Sequence, residues 1–259
     1  MSRNFQAGKF LIEYKESRND APIVWENHCH TQYEMIAVLE GDITVMLEGR
    51  SYRLNADHAV IIPPLLYHTV AANQRGIYRR ITSLFDTDAI PAILRPHFQQ
   101  KDAMLHVFSS CEGIELKQLC QMNEPLFYEP LGESLMIQLL YREIRDERVE
   151  EEAENDEFLQ KIIAYIDLHL SERILLDDLA LLTSRSRSSV SHLFEEKMNI
   201  TPKQYILQKK LALAHKLIDG GMLPTIAAMQ VGYDNYSNFY RVYRKMFHSS
   251  PSGRGRELC

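Results

Sequence analysis

The residues best suited to bind a nucleic acid lie near the carboxyl end, in TIAAMQVGYDNYSNFYRVYRKMFHSSP (225–251). Phe239, Val242, Tyr243 and Met246 recur there at steps of three and four, which predicts the buried stripe of a helix. The opposite face has aromatic, hydroxyl and basic groups but no carboxylate: Tyr236, Ser237, Tyr240, Arg241, Arg244 and Lys245. Such a face is suited to the major groove of DNA.

Different roles are expected within this face. We expect Arg241 to read guanine O6 and N7, a contact worth about 1–3 kcal/mol of discrimination. Arg244 and Lys245 are expected on phosphates, where they give affinity and salt dependence without sequence information. Thr225, at the start of the preceding helix, could donate to a phosphate beside free backbone N–H groups. For Tyr240, packing inside the domain is an equal alternative.

A tight turn between two helices is predicted before this face. Ala228 lets two helices cross closely, and Gly232, four residues later, can adopt the positive φ of a sharp turn. A second copy lies upstream, with Ala180 corresponding to Ala228 and Ser184 to Gly232. Because single helix pairs of this kind also occur in enzymes, the duplication is what favours two helix-turn-helix units.

The upstream copy presents its own polar helix face. Ser186 is predicted to cap a helix over Arg187–Lys197 whose buried positions are Val190, Leu193, Phe194 and Met198. The residues left outward at its leading end are Arg187, Ser188, Ser191 and His192. Serine can pair with any base, so specificity here depends on whether Arg187 or His192 reaches guanine. A solvated face is the alternative, and the duplication favours DNA contact.

One amphipathic helix, Thr201–Gly220, joins the two units, and the second unit reads V-G-Y-D-N-x-S-N-F-x-R-x-Y-R-K. This arrangement resembles the DNA-binding domain of the AraC/XylS family of bacterial transcription regulators, over roughly the last hundred residues. The resemblance implies an all-α domain with helix-turn-helix units at about 175–198 and 223–247. It also implies recognition helices about 34 Å apart, in successive major grooves.

The chain departs from that family pattern near both recognition helices. Asn199 and His248 stand where the family has glycine, and both tolerate the left-handed backbone better than most residues. Glu195 and Glu196 follow Phe194, where the family often has basic residues.

A second set of chemically capable residues lies near the amino end, as His28-x-His30-x3-Glu34-x6-Gly41 followed by Pro63, His68 and Asn73. Imidazole and carboxylate ligands suit Fe, Mn, Ni or Zn. The same four residues, His28, His30, Glu34 and His68, could instead line a site for an organic effector without any metal. Trp25, Tyr33 and Tyr67 could stack on a sugar or aromatic ligand, or belong to the core.

This spacing resembles the first cupin motif and, more loosely, the second. The surrounding residues 1–110 contain short β-rich segments separated by turn signals, which is typical of an antiparallel sandwich or jelly roll. The expected strands are Phe10–Tyr14, Tyr33–Glu40, Ile43–Glu48, Ser51–Leu54, Ala59–Ile62, Thr69–Ala72 and Ile77–Phe85. AraC-type regulators often carry a cupin sensor, so the two resemblances support each other.

The middle of the chain is expected to join these two regions. It contains a short helix at Thr87–Leu94, a strand at Ala103–Phe108, a helix at Gly132–Arg148, an acidic linker at Glu147–Asp156 and a helix at Asp156–Ser171. We therefore expect an effector-sensing and dimerisation domain at 1–150 and a DNA-binding domain at 151–259.

Composition is ordinary for a globular protein, with 45% hydrophobic and 25% charged residues. The net charge of -6 hides an asymmetry. Residues 1–155 hold 15 Lys+Arg against 24 Asp+Glu, a net charge of -9, and residues 156–259 hold 14 against 11, a net charge of +3. Four dispersed cysteines, no apolar amino-terminal segment and no membrane-length apolar run predict a cytoplasmic protein with reduced thiols and no membrane partner.

The combined interpretation is an α+β multidomain regulator: a cupin-like antiparallel β-barrel with C-terminal helices, then an all-α domain with two helix-turn-helix units. Its expected partners are double-stranded DNA, a small-molecule effector such as a sugar, a second copy of the chain and RNA polymerase, and we expect activation. No catalytic residue is expected. The rival hypothesis is a metal-dependent cupin oxygenase or isomerase with a helical appendage, which leaves the duplicated helix-turn-helix unexplained.

Overall fold

The computed structural model describes residues 2–25, 28–99, 104–107, 115, 118, 125–143 and 156–252. The chain divides into two compact units, unit 1 over residues 1–154 and unit 2 over residues 155–259. The acidic linker, apart from Asp156, lies outside the described residues. No described helix has the length and apolar character needed to cross a membrane.

Two antiparallel sheets form the described part of unit 1. The six-stranded sheet has the order β1 (Ser2–Ala7), β2 (Phe10–Asn19), β9 (Gly76–Phe85), β4 (Tyr33–Glu40), β7 (His58–Ile62) and β10 (Met104–Val107). The four-stranded sheet has the order β3 (Ile23–Val24), β8 (His68–Ala72), β5 (Asp42–Leu47) and β6 (Arg50–Asn55). The expected antiparallel fold is confirmed.

One core lies between the sheets and another on the outer face of the larger sheet. Successive residues of a strand point to opposite faces, so Ile36 and Val38 of β4 pack with Val45 of β5 in the inter-sheet core. Met35 and Ala37 point the other way and pack with residues of helix α1 (Pro125–Glu143).

The sequence-based boundaries were wrong at several points of unit 1. Strands β1 and β3 were not expected, and β1 is so polar that only pairing with β2 and packing against α1 define it. The expected helix Thr87–Leu94 is replaced by two 3-10 helices, Thr87–Ala89 and Arg95–Gln99. Pro91 disfavours the helical conformation at the residue before it, and Ile90 is extended. Helix α1 begins before Gly132 and continues through Pro130.

Six helices form the described part of unit 2: α2 (Glu157–Leu168), α3 (Leu176–Thr183), α4 (Arg187–Met198), α5 (Pro202–Asp219), α6 (Pro224–Gln230) and α7 (Tyr236–Phe247). Asp156, Ser186, Thr201 and Asn235 cap helices through their side chains. Asn199 and His248 end α4 and α7 in the left-handed conformation, with φ of 53° and 52°. The all-α expectation for this unit is confirmed.

Candidate DNA-binding surface and effector site

The turn between α6 and α7 requires glycine at position 232. Gly232 has a φ of 76°, and a Cβ added there would lie 2.8 Å from the Ser171 carbonyl oxygen and 2.9 Å from Lys210 Nζ. Ala227 and Ala228 are buried beside the turn. The corresponding turn between α3 and α4 uses Ser184 at a φ of 53°. Both turns therefore have the positive φ that the sequence pattern predicts.

Two buried lysines of α5 fix the surrounding segments, and sequence reasoning missed both. Lys210 Nζ donates to the Glu172 carbonyl at 2.6 Å and to the Val231 carbonyl at 3.0 Å. Lys209 forms an ion pair with Asp167 at 3.0 Å, and both lysines are at most 9% exposed. The sequence contained one signal for these lysines: they follow buried Tyr205 by four and five residues within the amphipathic helix α5. Through Lys210, α5 holds the turn of the second unit.

Helix α7 has the amphipathic arrangement that its sequence predicts. Phe239 and Tyr243 are buried, whereas Val242 and Met246 are partly buried against the same cluster. The opposite face leaves Ser237, Arg241, Arg244 and Lys245 exposed and Tyr236 and Tyr240 half-buried, and Thr225 is exposed on α6. Arg241 Nη2 donates to Asn238 Oδ1 at 3.0 Å, so a neighbour one turn earlier orients the guanidinium.

Helix α4 presents its candidates differently. Arg187 forms a two-point ion pair with Asp177 in the first turn of α3. His192 Nδ1 lies 3.4 Å from Glu196 Oε2. Ser188 is exposed and Ser191 half-buried. Arg187 and His192, the two residues of α4 that could read guanine, therefore face carboxylates within unit 2. The sequence pattern did not indicate this.

His215 connects α5 with α7 inside unit 2. Its Nδ1 lies 2.5 Å from the Tyr243 hydroxyl oxygen, and its Nε2 lies 3.1 Å from Asp219 Oδ2. Burial lowers the pKa of His215 below its ordinary value, although the charge of Asp219 opposes this effect. The neutral ring is therefore the form that the folded unit favours.

We expect acidification from pH 7 to pH 5 to destabilise unit 2 partly through His215. The unfolded chain takes up a proton near pH 6.5, whereas the folded chain does so only at lower pH. The contribution of His215 to the free energy of unfolding is therefore present above about pH 6.5 and is lost as the pH falls. The loss is about 1.4 kcal/mol for each unit by which folding lowers the pKa of His215. Urea unfolding of the full chain at both pH values, followed by circular dichroism, should show a smaller difference for His215→Gln. An unchanged difference would contradict this role.

In unit 1 the structure brings the histidine–glutamate set together. One ligand atom from each of His28, His30, Glu34 and His68 lies within 4.8 Å of the others. His30 Nε2 and His68 Nε2 lie 3.0 and 2.9 Å from the same oxygen, Glu34 Oε2. Burial alone raises the pKa of the Glu34 carboxyl, but the hydrogen bonds from His30 and His68 outweigh it and hold that pKa well below its usual range.

The donor atoms of this cluster fit a divalent cation. His30 Nδ1 lies 2.8 Å from the Gln32 carbonyl oxygen and His68 Nδ1 lies 3.0 Å from that of Leu66. Carbonyl oxygens only accept hydrogen bonds, so each neutral ring must carry its single N–H at Nδ1. Its Nε2 then has only a lone pair facing the Glu34 oxygen. Each contact between Nε2 and Glu34 therefore requires an added proton or a cation. A metal at Nε2 with Nδ1–H on a carbonyl is the usual arrangement of a ligating histidine.

The three aromatic candidates are in different surroundings. Trp25 is partly buried against the inter-sheet core. Tyr67 is 3% exposed. Burial raises the pKa of its hydroxyl, and neighbouring Cys29 raises that pKa further. Tyr33 belongs to the outer core with α1, and its hydroxyl donates to the Phe98 carbonyl at 2.6 Å. The structure therefore separates Tyr33 from the inter-sheet site because it follows the opposite alternation to Glu34.

Both units match known protein families. A model described as a cupin domain matches residues 12–77, and one described as a helix-turn-helix domain matches residues 179–254. The probable transcriptional regulator LumQ of Photobacterium leiognathi is 25% identical over 233 residues, which cover 87% of this chain and 90% of LumQ. The HTH-type transcriptional regulator YdiP of Escherichia coli strain K12 is 24% identical over 272 residues, covering 98% and 89%.

Among solved structures, ToxT from Vibrio cholerae aligns with a TM-score of 0.45 and 13% sequence identity, over 95% of this chain and 97% of ToxT.

Proposed function

We propose that this chain binds successive major grooves of DNA through α4 and α7. It is a transcription regulator of the AraC type, with a cupin domain ahead of its helix-turn-helix domain. A small molecule held between the two sheets of unit 1 controls this binding. The observation that carries the proposal is the exposed face of α7, which has three basic side chains while Phe239 and Tyr243 anchor the opposite face. We place the boundary between the two domains at residues 150/151.

The contacts to DNA divide by the chemistry of the side chains. Arg241 reads guanine in the groove of α7, with Tyr236, Ser237 and Tyr240 beside it, and Ser188 and Ser191 contact base edges from α4. Arg244, Lys245 and Thr225 bind phosphates, which fix the register. Arg187 and His192 contribute only after exchanging their carboxylate partners, and an exposed pair costs about 0–1 kcal/mol to break.

The effector site lies at the His28–His30–Glu34–His68 cluster and extends to Trp25 in the inter-sheet core. These four side chains would hold a divalent metal, which supplies positive charge for a polar effector group. Effector binding shifts the equilibrium between arrangements of the two units. Tyr67 contributes to the wall through its buried ring, and Tyr33 supports the site only from the other face of the sheet.

Further properties follow from action as a regulator. We propose that the chain works in the cytoplasm as a homodimer, has no catalytic function and activates transcription through RNA polymerase. The exposed Leu131 and Tyr141 of α1 support a dimer contact on that helix. The competing function, a metal-dependent cupin oxygenase or isomerase, draws on the same histidine–glutamate cluster.

Selection of bound sequences from a random duplex pool tests the proposal. The full chain and a variant lacking residues 1–155 are compared at low salt. We expect both to enrich a motif with two short blocks about one helical turn apart, and only the full chain to respond to an effector. A truncated variant that still responds would contradict effector control through unit 1. A full chain that enriches nothing and purifies with a stoichiometric redox metal would favour the enzyme.

Asp177→Asn is expected to raise DNA affinity roughly two- to tenfold. The substitution removes the ion-pair partner of Arg187, so Arg187 becomes available to DNA. It also removes one negative charge near the DNA phosphates that the proposed complex places beside α4. Fluorescence anisotropy with the selected duplex at several salt concentrations measures this effect, and the salt dependence should steepen. Glu157→Gln on α2 serves as the charge-matched control with no expected change. Equal gains from both variants would mean that only net charge matters.

A further inference from the structure

Arg80 of β9 points into the space between the two sheets of unit 1. It shares its strand face with Tyr78, which belongs to the inter-sheet core, whereas Arg79 points to the other face. Its Cα partner on β4 is Val38, another inter-sheet residue, and Glu34 lies four residues further along that strand. At about 3.3 Å per residue, Arg80 and the histidine–glutamate cluster are about 13 Å apart on one face.

Two aromatic rings hold the Arg80 guanidinium. Its Cζ lies 5.3 Å from the ring centroid of Trp25 and 4.7 Å from that of Tyr78. The two rings are themselves 5.6 Å apart. Stacking on aromatic faces satisfies the flat side of a guanidinium and leaves its N–H edge for hydrogen bonds. Burial raises the pKa of the Tyr78 hydroxyl, and the neighbouring Arg80 guanidinium opposes this effect.

Within the described part of the chain, no carboxylate forms an ion pair with Arg80. Its neighbours differ: Arg79 pairs with Glu16 and Glu40 on the other face, and Lys15, the Cα partner of Arg80 on β2, pairs with Glu13. A half-buried arginine without an acid is unusual, because partly desolvated charges are normally compensated. The missing negative charge is therefore best supplied by a ligand.

We propose that Arg80 is the anion-binding subsite of the effector site, and that the effector is a small organic anion whose carboxylate or phosphate pairs with the N–H edge of Arg80 beside Trp25. This inference rests on the proposed function of unit 1, and it replaces a neutral sugar with an acidic metabolite as the expected effector class. The planar fork of arginine matches the two oxygens of either group.

Trp25 is the sole tryptophan of the chain, so its fluorescence reports on this subsite. The full chain is titrated with benzoate, phenyl phosphate and benzamide at millimolar concentrations. We expect at least one of the two anions to change Trp25 emission saturably and the neutral amide to bind at least tenfold more weakly. The anion that binds better distinguishes a carboxylate from a phosphate ligand.

Two variants locate the effect. Arg80→Gln is expected to weaken anion binding roughly tenfold or more, whereas Arg79→Gln, the ion-paired neighbour on the opposite face, should change it less than twofold. Iodide and acrylamide quenching give a second measurement that needs no specific ligand. Iodide quenching of Trp25 should fall in Arg80→Gln while acrylamide quenching stays the same. No preference for anions over benzamide, or equal anion binding and iodide quenching in Arg80→Gln, overturns the proposal.

The anion titrations need no DNA, and duplex binding measured with and without the same anions separates the two proposals. Anion binding that depends on Arg80 but leaves DNA binding unchanged keeps the subsite and contradicts effector control. DNA binding that responds to benzoate or phenyl phosphate equally in wild type and Arg80→Gln keeps effector control and contradicts the subsite.

Discussion

Arg241→Ala is expected to lower affinity for the selected DNA motif roughly tenfold to a hundredfold, the largest loss of any single substitution on the α7 face. Arg241 is exposed on α7, and Asn238 already orients its guanidinium, so little ordering is needed on binding. A bidentate contact to guanine is worth about 1–3 kcal/mol. Fluorescence anisotropy with the motif and with a duplex changed only in the block read by α7 measures the effect.

Lys245→Ala is the matched control for Arg241→Ala. Lys245 is exposed on the same helix and is proposed to bind a phosphate, so its loss should weaken both duplexes equally and reduce the salt slope by about one. Arg241→Ala should instead remove most of the preference for the motif. If the two variants lose affinity equally for both duplexes, Arg241 contacts phosphate and α7 reads sequence through another side chain.

Gly232→Ala is expected to destabilise unit 2 by about 2–4 kcal/mol and to abolish specific DNA binding. The positive φ costs a residue with a Cβ about 1–2 kcal/mol. The Cβ would also lie within 3 Å of the Ser171 carbonyl oxygen and Lys210 Nζ. Relieving that overlap displaces the turn that α5 holds through Lys210. Differential scanning calorimetry of the full chain, with anisotropy in parallel, measures both effects.

Gly221→Ala separates backbone strain from steric overlap. Gly221 also has a positive φ, of 94°, but an added Cβ would meet nothing within 4 Å. Its substitution should therefore cost only the strain and leave the recognition face in place. Equal destabilisation by the two substitutions would show that the close approach at Gly232 contributes nothing.

The sequence predicted local features well where periodicity and turn chemistry act over a few residues. The cap at Ser186 and the left-handed ends at Asn199 and His248 depend only on short-range backbone geometry, and the structure has all three. Strand β4 has the predicted boundaries, Tyr33–Glu40, because turn residues bound a strongly apolar segment. Polar β1 gave no comparable signal, since its support comes from β2 and α1.

The candidate site residues also differ in how far the sequence predicted their surroundings. The resemblance of His28, His30, Glu34 and His68 to the cupin motifs implied that their side chains meet, and Glu34 Oε2 lies within 3.0 Å of both Nε2 atoms. Arg187 had the right residue type and position for base contact, but it pairs with Asp177, ten residues earlier on another helix. Tyr33 had the right chemistry for stacking, but strand alternation turns it into the outer core.

The sequence by itself determined the two helix-turn-helix units, the amphipathic faces of α4 and α7 and the His28-x-His30-x3-Glu34 pattern, because each follows from residue types at fixed short spacing. His68 joins this pattern from 34 residues beyond Glu34. Only the tertiary structure decided which charged groups have partners. Lys210 is held by carbonyls of two distant segments, whereas Arg80 stacks on Trp25 and Tyr78 with no ion pair among the described residues. The physical reason is that burial and charge compensation depend on segments far apart along the chain, which only the packing of sheets and helices brings together.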